Sequence, residues 1–207
     1  MKQFFFVCCM VLMLLWASQG MVQAEGEKPV VMLAGFESRV SSSKVTLTTL
    51  QVNQQELLNN FVDILSTELA NDERYNFYDT DATVTRARMD ETSLIHTLGD
   101  GQIVPSLQNQ ADYIVYGYLT NLSEIKAQIG ALGLNGKDKT IHIELSMRVV
   151  DAHTGAVVFV TTADSRRKSQ LTYHAILNRH DVGQENAVSE ALNIAAQNLA
   201  GQFKAAI

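Results

Sequence analysis

KTIHIELSMRVVDAHTGAVVFVTTAD, residues 139–164, is the stretch whose reading decides the fold. In its first half Ile141, Ile143, Leu145, Met147 and Val149 occupy one parity, and His142, Glu144, Ser146 and Arg148 the other. A period of two belongs to a strand with one face on a core and the other toward water. Asp151-Ala152-His153-Thr154-Gly155 follows. Aspartate can accept from backbone N–H groups just downstream of itself, and glycine can take the positive φ that tightens a return. Ala156 to Ala163, rich in Val, Phe and Thr, supplies a second arm. The stretch predicts a β-hairpin.

Beyond the hairpin, Arg166-Arg167-Lys168 reads as charge that blunts a strand edge. Ser169 to Val182 reads as a linker with scattered histidines. His174 and His180 are six apart, so they do not share a helix face, and no Cys or Glu completes a metal pattern with Asp181. The last helix carries a stripe of Val188, Leu192, Ala195, Leu199 and Phe203. Upstream of the hairpin, Ala127 to Lys139 holds Gly130, Gly133 and Gly136. This spacing leads into a strand, so no helix start can offer amides to a phosphate. It predicts a mobile connection and no cofactor. Ala111 to Asn121 reads as a strand, with Gly117 marking a close approach by another group.

Further upstream, Pro29 to Phe36 is a continuous apolar run, as in a strand buried on both faces. Glu37 to Thr49 reads as a polar loop; its three serines lack the Gly-x-Ser-x-Gly setting of a nucleophile. Asn53 to Glu56 is a capping box opening a helix with Leu57, Phe61, Ile64, Leu65 and Leu69 on its face. Arg74 to Asp79 predicts a strand. Asp79-Thr80-Asp81 caps a second helix running to Leu98, and Pro105 opens a short one over Ser106–Gln110. The order β-α-β-α-β-β-β-α predicts one α+β domain over residues 25–207. Its mixed sheet has about five strands with helices packed on it.

Residues 1–24 read as a signal peptide: Lys2, an apolar run Phe4–Ala17, then Val22-Gln23-Ala24 before the expected cleavage. Cleavage removes Cys8, Cys9 and Trp16, so no disulfide would hold the mature chain. Both cysteines lack the Leu-small-small setting of lipidation, which predicts a soluble periplasmic or secreted protein with no transmembrane segment. From Glu25 onward 15 basic residues face 22 acidic ones, a net charge of −7. That balance argues against nucleic acid, whose binding needs clustered positive charge.

Ala111-Asp112-Tyr113-Ile114-Val115-Tyr116-Gly117 and Leu145-x-Met147-Arg148-Val149-Val150-Asp151-Ala152-x-Thr154-Gly155 resemble two motifs of bacterial envelope proteins. Together they resemble the curli-secretion CsgG superfamily. That superfamily includes the LpoB-type activators of cell-wall synthases and folds much like the amino-terminal domain of TolB. The resemblance implies a module that binds other envelope proteins, in assembly, secretion or synthase regulation, and that can self-assemble.

The sequence holds no nucleophile elbow, zinc signature or paired acids at motif spacing, so no catalytic, cofactor or metal residues are assigned. With helices on one sheet face, His142, Glu144, Ser146 and Arg148 would line the other over about 20 Å as a partner-contact face. The alternative is a periplasmic ligand-binding protein or enzyme using His142 and Glu144 for acid–base work.

Overall fold

The computed structural model describes residues 27–40, 53–131, 134–169 and 182–207. The segment expected to be a signal peptide (1–24), most of the expected loop at 37–49 and most of the expected linker, with His174 and His180, lie outside the described residues. The alternating stretch is an antiparallel pair, β4 (Leu134–Asp151) and β5 (Val157–Ser169). Ile141, Ile143, Leu145, Met147 and Val149 are fully buried, and His142, Glu144, Ser146 and Arg148 are half-buried.

The turn closes as its residue types dictate. Asp151 Oδ1 accepts from the N–H groups of His153 at 2.9 Å and Thr154 at 2.8 Å, and Gly155 sits at φ 71°. Those bonds, led by Thr154 N–H, hold the Asp151 carboxyl below the usual carboxylate range. A depressed folded pKa gives stability that is full above the unfolded value and is lost as pH falls through the folded one. Asp151→Ala should therefore melt below wild type at pH 7, with the gap narrowing toward pH 3. Thermal melts at both pH values check this, and an unchanged melting temperature at pH 7 would show that the turn needs no carboxylate.

The other strands are β1 (Val30–Ser38), β2 (Asn76–Tyr78) and β3 (Tyr113–Ala131). The sheet order is β2-β1-β3-β4-β5, with β1 parallel to both neighbours and β3, β4 and β5 antiparallel. The apolar run of β1 fits its place between two strands, with Val31 to Ala34 fully buried. Asp112 fastens its start: Oδ2 accepts from Val30 N–H at 2.7 Å while His153 Nε2 lies 3.5 Å from Oδ1.

Helices cover both faces, not one. On the first face α1 (Gln54–Ala70) and α4 (Val182–Ala206) bury Leu57, Phe61, Leu65, Leu192, Leu199 and Phe203 against Leu145, Met147 and Val149. Asn53 caps α1 by accepting from Gln55 N–H at 3.1 Å. On the second face α2 (Thr80–Ala87) and α3 (Glu91–Gly99) bury Ala87, Leu94, Ile95 and Leu98 against Met32, Ile114, Tyr116 and Val150. The single helix expected over this region is thus two. Arg88 turns left-handed at φ 55°, and Asp90 starts a new helix by accepting from Ser93 N–H at 2.9 Å. Pro105 to Gln110 forms consecutive turns in place of the expected short helix.

A second correction concerns Ala127 to Lys139. The expected mobile connection continues β3 and β4, which pair through Ala131↔Leu134. Glycines hid the strand signal, but an antiparallel ladder needs only backbone donors and acceptors, which glycine retains. Among the described residues no helix is long and apolar enough to cross a membrane.

Candidate functional site

Cover on the second face stops at Val150. From Arg148 back to His142 the side chains of β4 are half-buried, and beside them Val160, Thr162, Asp164 and Arg166 of β5 are exposed. Register brings the strands into one polar layer: His142 opposes Ser123 and Arg166, Glu144 opposes Asn121 and Asp164, and Ser146 opposes Tyr118 and Thr162. The extra residue at Thr120 makes this possible. It is a bulge between Leu119↔Leu145 and Asn121↔Glu144, so Leu122 keeps to the core while Asn121 joins the polar layer.

The layer is knit laterally. His142 Nδ1 lies 3.3 Å from Asn121 Nδ2, and His142 Nε2 lies 3.2 Å from Asp164 Oδ1. Arg166 holds Asp164 by a 3.2 Å bond from Nη2, which with the nearby His142 keeps the Asp164 carboxyl below its ordinary range. At the β1 end, Glu37 opposes Tyr118 and pairs with His96 at 3.3 Å. Arg39, just past β1, stacks on the Tyr118 ring at 3.3 Å from its centroid. Burial pushes the Tyr118 phenol up, against the opposing pull of Arg39.

A second bulge sets the edge of this region. Between Leu33↔Val115 and Gly35↔Tyr116, β1 gains a residue, and Gly35 adopts φ 120°. Glu91 fills the space a side chain at Gly35 would need, and its Oε1 accepts from Phe36 N–H at 3.2 Å. Burial raises the Glu91 carboxyl, partly offset by that bond.

The four residues of the expected partner face therefore lie together. The spacing did not foretell Glu37, Tyr118, Asn121 and Asp164, which come from other strands, or Arg39, which lies just past β1. Only Tyr118, in an alternating strand, carried a signal that could have placed it. Among the described residues no three His, Cys, Asp or Glu groups converge as metal ligands.

No family model matches the chain, and no curated protein matches it. Solved structures do resemble it. A hypothetical protein from Chlamydia trachomatis is 16% identical, with 86% of this chain and 94% of that one covered at a TM-score of 0.48. A neuraminyllactose-binding hemagglutinin homologue from Helicobacter pylori is 13% identical over 86% and 90%, at 0.49. The carboxy-terminal domain of LpoB from Salmonella enterica is 16% identical over 70% and 88%, at 0.35. Likeness at this level lies in the path of the chain, and no activity or partner transfers with it.

Proposed function

We propose that this protein is an exported, non-catalytic interaction module of the bacterial cell envelope. It acts through protein–protein contacts made by the sheet face of His142, Glu144, Ser146 and Arg148. The observation that carries this reading is the partial cover of that face: charged and polar groups of β3, β4 and β5 stand half-buried or exposed in one layer that α3 touches only at its β1 end, through His96 and Gly99. Ion pairs in such a setting set register and specificity more than affinity, which suits a reversible contact. The two motifs that resemble CsgG-type proteins lie on neighbouring strands of that layer, with Tyr116 opposite Arg148. Export with cleavage after Ala24, and a periplasmic or secreted location, belong to the same reading.

Acid–base chemistry at His142 and Glu144 has less support. Both ring nitrogens of His142 face protein groups, and Glu144 opposes another carboxylate, Asp164, across the strands.

The test is capture of partners from native envelope extract with wild type and Glu144→Lys, at low and high salt. The substituted lysine would face Asp164, so the fold should hold, which circular dichroism checks. Recovery should fall severalfold in the variant and in high salt, because salt screens exposed charges. Undiminished recovery by a folded variant would move the interface off this face.

A further inference from the structure

Two guanidinium groups flank one tyrosine. The guanidinium carbon of Arg39 lies 3.3 Å from the Tyr118 ring centroid and that of Arg148 5.9 Å. By register Arg39 approaches from the β1 side and Arg148 from the β4 side, with Tyr118 on the strand between. Tyr118 is 2% exposed, and its hydroxyl abuts Gly99 at the end of α3, so the ring is a fixed platform.

Stacking uses the flat face of a guanidinium and leaves its in-plane N–H fork free for an oxyanion. Neither Arg39 nor Arg148 has an ion-pair partner among the described residues, and Arg148 Nε is buried without a hydrogen bond. A buried, unsatisfied charged donor is costly, and a bound anion removes that cost. Of the nearby acids, Glu37 has Oε1 3.3 Å from His96, and Asp164 lies against His142 and Arg166. The segment that follows Arg39, SSSKVTLTTLQV at 41–52, contains no acidic residue that could fold back.

We infer that the Arg39–Tyr118–Arg148 group takes the side-chain carboxylates of an acidic peptide segment of the partner, one to each guanidinium fork. This rests on the reading of the face as a partner surface and names the chemistry that surface recognises. A carboxylate fits better than a phosphate. The two guanidiniums stand apart, one on the β1 side and one on the β4 side of Tyr118, which suits two separate single charges better than one dianion concentrated at a point near Glu37 and Glu144.

The experiment is calorimetric titration of the full chain with a blocked peptide of glutamate and glycine, a lysine peptide of the same length, and inorganic phosphate. The glutamate peptide should bind saturably, and Arg39→Gln or Arg148→Gln should each weaken it about tenfold with the melting temperature nearly kept. Arg148→Lys, which keeps the charge and loses the fork, should restore only part of the affinity. Absence of saturable glutamate-peptide binding, equal binding by the variants, or tighter binding of phosphate would each overturn the inference. Failure here is separable from failure of the face. If Glu144→Lys loses captured partners while Arg39→Gln and Arg148→Gln keep them, the interface stands and the acidic-peptide assignment falls.

Discussion

Val149→Asp should leave no cooperative unfolding transition at pH 7, while Arg148→Asp, one residue away, should melt within a few degrees of wild type. Val149 is fully buried on the first face of β4, opposite Val115 on β3 and Phe159 on β5. Leu145 and Met147 belong to the same apolar cluster, under the cover of α1 and α4. A carboxylate placed there must be buried charged or take up a proton against its ordinary pKa. Either route costs about 4 kcal/mol or more, against a total of about 5–15 kcal/mol for a domain. Arg148 points to the half-buried layer instead. Its replacement removes a guanidinium near Tyr118, worth about 0.5–1 kcal/mol, or a shift of about 1–4 °C. Melting followed by circular dichroism compares the two. Equal melting temperatures would show that the faces of β4 are assigned the wrong way round.

The features legible in the sequence are those whose cause is local. Alternation through Val149, the Asp151 turn, the Asn53 and Asp79 caps and the stripe of α4 each depend on residues within a few positions of one another, and each is present in the structure. The break at Arg88 was hidden because the apolar positions of α2 and α3 keep helical spacing across it. Only Asp90, a second capping residue inside the pattern, hints at a restart. Cover on both faces was illegible for a different reason. It follows from placing β1 inside the sheet, between β2 and β3, and strand order is a long-range property. The site divides the same way. Period two groups His142, Glu144, Ser146 and Arg148, but the groups facing them are set by register and by the bulge at Thr120, which reverses the parity of β3 after Leu119.

Gly117→Ala should be the most damaging loss of a single glycine, at about 3 kcal/mol or more. A Cβ at Gly117 would fall well inside van der Waals contact distance of Phe36 Cε1 and of the Ser146 carbonyl oxygen. Neither can move cheaply. Phe36 is held edge-on to Phe61 with centroids 4.8 Å apart, and the Ser146 carbonyl is backbone beside the Gly117↔Met147 pair. The two obstacles can be separated by a double-mutant cycle. Phe36→Leu alone leaves a void and costs about 1–2 kcal/mol. Combined with Gly117→Ala, it should cost less than the sum by about 1 kcal/mol, since trimming the ring admits the new methyl group. Rescue should stay incomplete, because no side-chain change moves the Ser146 carbonyl. Denaturant unfolding of the four proteins gives the cycle, and a Gly117→Ala variant as stable as wild type would show that β1, β3 and β4 do not approach this closely. The residue matters to the face as well as to the core. Gly117 is flanked in sequence by Tyr116, opposite Arg148, and Tyr118, opposite Glu37 and Ser146. Any displacement of β3 that accommodates a methyl group must therefore also shift the platform on which Arg39 stacks, so the surviving folded fraction should bind the glutamate peptide more weakly than wild type.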